Sequence, residues 1–190
     1  MNLSAKYSAC LKGELLCPGD KSISQRVLII GSFLNQEILI SNILASSDPI
    51  CTANALNQVN ANLTFNKLSN TVKTVKRQMP FQDPTESLDL GNSGTGARLL
   101  TGFLSGLGIN ATITGDKSLS SRPMKRIVEP LTKMGFKLNS NNHRLPIEIT
   151  QSTGSSFFDY NSPISSAQVK SSILLAALTG SIETKITEPI

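Results

Sequence analysis

Two spacings of apolar residues alternate along this chain, and the switches between them mark its elements. Three stretches share one design: small polar residues, then a cation, then an apolar run of Leu, Ile, Ala and Gly. They are Lys21 to Gly31, Ser93 to Phe103, and Ser165 to Leu175. The cations Arg26, Arg98 and Lys170 fall at intervals of 72 and again 72 positions, which marks an internal repeat. Each stretch predicts a helix with a polar start and a buried body, because Ser, Thr, Asn and Gly ahead of an apolar run are helix-start signals.

A second helix is predicted in each of the first two repeats, over Ile50 to Val59 and Met124 to Met134, with Pro49 and Pro123 at the first helical positions. Between the helices lie strand-like stretches: Glu37 to Ile43, Leu63 to Leu68, Thr71 to Val75, Ala111 to Thr114 and Leu145 to Thr150. The predicted unit is strand, helix, strand, helix, strand, strand. The third unit carries its first helix and then Lys185 to Ile190, so it is expected to be incomplete.

The 190 residues suffice for one core, or for a domain and part of another, with globular fractions of apolar and charged residues. The formal charge of +5 changes the picture more. A nucleic-acid partner is disfavoured: the cations are spread thinly, there is no Trp and there are two Tyr, where single-strand binders interleave bases with aromatic platforms. An acidic small molecule suits the balance as well. Cys10, Cys17 and Cys51 form no C-x-x-C pair, which points to a reducing compartment and against a disulfide scaffold or zinc site. The one histidine, His143, sits in a polar stretch and is expected in a solvated hairpin turn rather than in catalysis. No cofactor or metal is expected. The apolar runs are too short to span a bilayer and no signal-peptide h-region stands near Met1, so the expected location is cytoplasmic.

Helix starts offer unpaired N–H groups and the positive end of a dipole, which favour phosphate or carboxylate. Three such starts, each with Lys or Arg, make a candidate anion site. Pro18 and Gly19 shape a tight turn before Lys21, and Gly91, Gly94 and Gly96 form a second glycine-rich turn where backbone approaches a ligand. A nucleotide P-loop is excluded, because neither Gly19–Ser22 nor Gly115–Ser118 has the Gly five residues ahead that the motif needs.

Four segments then carry a family resemblance. Pro18 to Arg26 resembles the first signature of the EPSP synthases (3-phosphoshikimate 1-carboxyvinyltransferases), and Leu90 to Arg98 resembles the second. Gly115 to Met124 is similar to the segment bearing a phosphoenolpyruvate-binding arginine, and Ser165 to Ser171 to the shikimate-3-phosphate contact segment. The related UDP-N-acetylglucosamine enolpyruvyl transferases usually carry Lys-Asn at the first motif, where this chain has Lys21-Ser22. The resemblance implies an α/β (α+β) enolpyruvate-transferase fold, with βαβαββ repeats around a pseudo-threefold axis, truncated in the third repeat. Residues 1–18 are expected to be the opening strand of the other domain, and 19–190 most of the N-terminal substrate-binding domain.

By the same resemblance, Lys21 touches both substrates and is the candidate proton-handling or charge-stabilising residue. Shikimate 3-phosphate would be held by Lys21, Ser22, Arg26, Ser166, Ala167 and Gln168. Phosphoenolpyruvate would be held by Lys21, Asn92, Gly94, Thr95, Arg98, Arg122 and Gln168. Gln25 stands where the family usually has histidine, as a neighbour of the contacts, and Ser93 and Lys170 receive no role. The implied reaction moves the enolpyruvyl group from phosphoenolpyruvate to the 5-hydroxyl of shikimate 3-phosphate, without metal or cofactor, in aromatic amino acid (chorismate) biosynthesis. Gly94 matches the glycine of glyphosate-sensitive members. The acidic partners come from the other domain, so this chain alone is expected to be inactive, and the full-length form monomeric. The alternative is a non-catalytic module that binds shikimate 3-phosphate or other anions; no nucleic-acid or membrane partner is expected.

Overall fold

The computed structural model describes residues 3–189. Residues 3–18 run exposed and without helix or strand. The first unit follows: α1 (Lys21–Phe33), β1 (Ile38–Ile40), α2 (Ser47–Gln58), β2 (Leu63–Asn66) and β3 (Thr71–Thr74). The second unit is β4 (Leu88–Asp89), α3 (Gly94–Leu107), β5 (Ala111–Thr114), the short α4 (Lys117–Ser121), α5 (Lys125–Lys133), β6 (Lys137–Ser140) and β7 (Ile147–Thr150). Last come β8 (Phe157–Asn161), α6 (Ala167–Gly180) and β9 (Glu183–Thr187).

The sheets repeat one topology to different extents. The middle sheet has the order β4-β5-β7-β6, with β4 parallel to β5 and the other pairs antiparallel. The first sheet, β1-β3-β2, reproduces its last three strands. The third, the parallel pair β8-β9, reproduces its first two. The helices α1, α3 and α6 begin 73 residues apart in both steps, so the sequence interval corresponds to a structural one.

The centre of the molecule is α3, whose residues from Gly94 to Ser105 are buried apart from Arg98. It packs tightly against α6 because two glycines leave the surface bare. A Cβ at Gly102 would sit 2.1 Å from the Ser172 carbonyl oxygen, and one at Gly106 2.3 Å from that of Ala176. The close approach admits hydrogen bonds between the helices: Ser172 Oγ donates to the Arg98 carbonyl at 2.8 Å, and Thr179 Oγ1 to that of Phe103 at 3.0 Å. Helix α2 lies against α1 and α3, and α5 lies against α3 and α6.

Several elements differ from expectation. Pro49 is the third residue of α2, and Pro123 precedes α5 and its cap Met124, so neither occupies the first helical position. Helix α4 and the strands β4, β6, β8 and β9 lack a sequence signal strong enough to predict them. In β8 and β9 the exposed positions alternate with partly buried Tyr160 and Ile186 and buried Phe158, so the apolar stripe is thin. His143 lies in the β6–β7 turn as expected, but its Nδ1 is buried without a partner and its carbonyl accepts from Met124 N at 2.7 Å. The turn is therefore docked on the Arg122–Met124 segment, not free in solvent.

Candidate anion-binding site

The three repeat-related helices present their N-termini together, and side chains tie those ends into a closed ring. From α1, Gln25 Nε2 donates to Ser93 Oγ, the N-cap of α3, at 2.6 Å. From α6, Gln168 Nε2 donates to Thr95 Oγ1 at 2.9 Å. From α1 again, Arg26 Nη2 donates to Ser171 Oγ at 2.9 Å and to the Ala167 carbonyl at 3.5 Å. Each pair of helices is thus joined at the end where the dipoles are positive.

Helix α1 starts cleanly because the Asp20 side chain accepts from Ile23 N at 2.7 Å. Gly19 is required for the entry, since a Cβ there would meet the Asn42 carbonyl at 2.0 Å. Lys21 Nζ lies 3.0 Å from Asp48 Oδ2 in the first turn of α2, half exposed and so both anchored and available. The Ser22 carbonyl accepts from Arg26 Nη1 at 3.0 Å, which folds that guanidinium back along the helix toward α6.

The α3 end is built on a turn. Gly91 adopts a left-handed φ of +54°, a conformation costly for other residues. Asn92 then bridges two charges, donating to Asp116 Oδ2 at 2.8 Å and accepting from Arg122 Nη2. The hydrogen bond from Leu119 N, then that from Asn92, holds the Asp116 carboxyl below the usual range. Arg98 donates to the Gly94 carbonyl at 3.1 Å and to the Pro123 carbonyl at 3.3 Å. Burial pushes its pKa down, and the nearby Arg122 and Arg126 add to that. Gly94 leaves room for these two guanidiniums: a Cβ would stand 2.9 Å from Arg98 Nη1 and 3.1 Å from Arg122 Nη1.

At α6, the Ser166 side chain caps Val169 N, and Ser166 N donates to Glu188 Oε1 at 3.2 Å. Glu188 also pairs with Lys170, whose hydrogen bond lowers its pKa. Lys170 is therefore the structural member of the repeated cation set, holding β9 to α6.

Of the predicted residues, Asn92, Gly94, Arg98 and Arg122 meet in one cluster. Thr95 meets Gln168, and Ser22, Arg26 and Ala167 form a third group. Lys21 joins through Asp48, whose carbonyl lies 3.4 Å from Gln25 Nε2. Sequence reasoning missed Gln25 as the inter-helix tie, and missed Asp48, Asp116 and Arg126. Gln25 is fully buried, and it also donates to Thr52 Oγ1 at 2.9 Å. A separate cavity of about 370 Å³, between residues 84–87 and β5 and β7, gathers no cations. Among the described residues no three His, Cys, Asp or Glu side chains are placed to share a metal ion.

A repeated βαβαββ unit with its cationic helix ends gathered on one side defines an α/β fold of the enolpyruvate-transferase type. The chain belongs to the EPSP synthase family: residues 6–190 match the family described as EPSP synthase (3-phosphoshikimate 1-carboxyvinyltransferase). It is 43% identical over 191 residues to the 3-phosphoshikimate 1-carboxyvinyltransferase of Petrotoga mobilis, covering 100% of this chain and 44% of that protein. The enzyme of the same name from Coxiella burnetii is 41% identical over 180 residues, covering 94% of this chain and 41% of the relative. The solved EPSP synthase from Acinetobacter baumannii superposes with a TM-score of 0.84 at 35% identity, over 94% of this chain and 41% of that one. The chain thus spans less than half the length of the relatives it matches.

Proposed function

We propose that this chain supplies the substrate-binding lobe for enolpyruvyl transfer from phosphoenolpyruvate to the 5-hydroxyl of shikimate 3-phosphate. The observation that carries the reading is the ring of helix N-termini with Lys21, Arg26, Arg98 and Arg122 around it, in a chain of this family. Oxyanions are stabilised there by the helix dipoles and by charge-assisted hydrogen bonds, with planar guanidinium groups suited to phosphate and carboxylate. Shikimate 3-phosphate is assigned to Lys21, Ser22, Arg26, Ser166, Ala167 and Gln168. Phosphoenolpyruvate is assigned to Lys21, Asn92, Gly94, Thr95, Arg98, Arg122 and Gln168.

In the reaction the 5-hydroxyl gives up its proton to a base as its oxygen bonds to C2 of phosphoenolpyruvate, and the methylene carbon of phosphoenolpyruvate gains a proton. Loss of a proton from that carbon, with cleavage of the C2–O bond to phosphate, regenerates the enol ether. Lys21, poised by Asp48, is the one ammonium of the ring positioned to stabilise charge or move a proton. Residues 1–18, of which 3–18 are exposed and outside every sheet here, are assigned to the other lobe, which also supplies the remaining acid–base groups. No helix among the described residues is long and apolar enough to cross a membrane, and with free thiols at Cys10, Cys17 and Cys51 a cytoplasmic site of action is the proposed one.

The test is a titration of the 190-residue chain with shikimate 3-phosphate, followed by backbone amide NMR shifts. Saturable shifts at Lys21, Ser22, Arg26 and Gln168, weakened about tenfold or more by Arg26→Ala, are expected. Phosphate release from both substrates is expected to be absent for this chain alone. Unperturbed amides at saturating ligand would remove the reading.

A further inference from the structure

Helices α3, α5 and α6 meet over a cavity of about 180 Å³, lined by Arg98, Pro123, Arg126, Ser166, Gln168 and Val169. Arg126 is its one charged lining residue with no role assigned so far. Arg98 commits two of its five N–H donors to the protein, Nη1 to the Gly94 carbonyl and Nη2 to that of Pro123. Gln168 is tied to Thr95, and Ser166 Oγ accepts from Val169 N, which leaves its hydroxyl proton to donate. Arg126, exposed at the second position of α5, makes no side-chain hydrogen bond among the described residues, so its five N–H donors are uncommitted.

Charge sharpens the contrast. Among the described residues the ion pairs are Lys21–Asp48, Lys73–Glu37, Lys125–Glu129, Lys170–Glu188 and Lys185–Asp159. None includes Arg98, Arg122 or Arg126. Asp116 offsets part of the Arg122 charge through Asn92. The cavity lining itself holds Arg98 and Arg126 and no carboxylate, so these two guanidiniums repel and an oxyanion between them removes that cost. The like-charge neighbours Arg122 and Arg126 already act on the half-buried Arg98.

We propose that Arg126 is a ligand-contacting residue of the anion site, closing the cavity on the α5 side over the phosphate or carboxylate of phosphoenolpyruvate. The inference rests on the anion-site reading above. Arg98 then braces the wall with two of its donors and keeps the others for the ligand, while Arg126 adds a fork of donors that is wholly free.

The experiment titrates the full 190-residue chain with phosphoenolpyruvate, and separately with inorganic phosphate, following the Nε–H signals of the arginines. Both anions are expected to move Arg126 saturably, and inorganic phosphate moving it while phosphoenolpyruvate does not would overturn the ligand assignment. Arg126→Gln is expected to weaken phosphoenolpyruvate binding about tenfold or more, the weight of one hydrogen-bonded charge. Arg126→Lys should recover part of the loss. Lys133→Gln, which removes the same charge from the exposed end of α5, should change affinity by less than about twofold, as a distant screened charge does. Equal effects of R126Q and K133Q would reduce Arg126 to a contributor to the general field, and the proposal would fall. An Arg126 signal unmoved by either anion would also overturn it. The shikimate 3-phosphate titration at Lys21, Ser22 and Arg26 judges the wider reading separately.

Discussion

A methyl group at Gly94 would press on two side chains at once, since its Cβ would stand 2.9 Å from Arg98 Nη1 and 3.1 Å from Arg122 Nη1. Both obstacles are the far ends of flexible arginines, so the fold yields easily and the anion site does not. Gly94→Ala is therefore expected to change unfolding stability by less than about 1 kcal/mol. The same change should weaken phosphoenolpyruvate binding roughly three- to tenfold, because charge-assisted hydrogen bonds lose strength steeply with misalignment. Anion titration beside a thermal melt of the same sample checks it; loss of stability with intact affinity would mean the glycine serves packing. The residues legible in the sequence are those whose meaning lies within a short motif, such as Gly94 in a turn or Lys21 at a helix start. Asp48 and Gln25 were not, because their partners are distant in the chain. Lys21 is 27 positions from Asp48, and Gln25 is 68 from Ser93. Only the folded arrangement of α1, α2 and α3 makes those pairs.

Among elements, the contact of α3 with α6 decides how the site is assembled, because it sets the distance from Thr95 to Gln168. Gly102→Ala tests it. Alanine is intrinsically the better helix former, by about 1 kcal/mol over glycine. Against that, the new Cβ would lie 2.1 Å from the Ser172 carbonyl oxygen, which is backbone and cannot rotate away. Sterics win, so a net loss of about 1–3 kcal/mol is expected, a fall in melting temperature of several degrees for a chain this long. A melting temperature equal to or above that of the native chain would show that the helices are not held at contact. The five predicted helices and five predicted strands, such as Ala111 to Thr114 for β5, all match elements of the same type in the structure. The two-residue β4 and the five-residue α4 did not emerge, since neither is long enough to show a period, and both exist through pairing and capping made elsewhere: Leu90 N to the Thr114 carbonyl at 3.1 Å, and Leu119 N to Asp116 Oδ1 at 2.7 Å.

At the scale of the whole molecule, the repeat predicts three grooves between neighbouring first helices. Helix α2 fills the groove of α1 and α3, and α5 fills that of α3 and α6. Among the described residues no helix lies in the groove of α6 and α1, a cavity of about 210 Å³ lined by Arg26, Ile30, Ser171, Leu174, Leu175 and Leu178. There Ile30, Leu174 and Leu178 are 41%, 47% and 49% exposed, so α6 is apolar on a face that meets solvent. A half-exposed Leu forgoes on the order of 1 kcal/mol of burial, and two on one helix face make a contiguous apolar strip. The 190-residue chain is therefore expected to self-associate as its concentration rises. Leu174→Gln with Leu178→Gln should hold it monomeric in sedimentation equilibrium, with stability within about 1 kcal/mol of the native chain, since these side chains give up little buried surface. The ring of cations sits at the N-terminal ends of the helices, so anion affinity should survive the double substitution. A native chain that stays monomeric at every concentration would mean the strip is too narrow to drive association, and lost affinity would mean that the groove shapes the site.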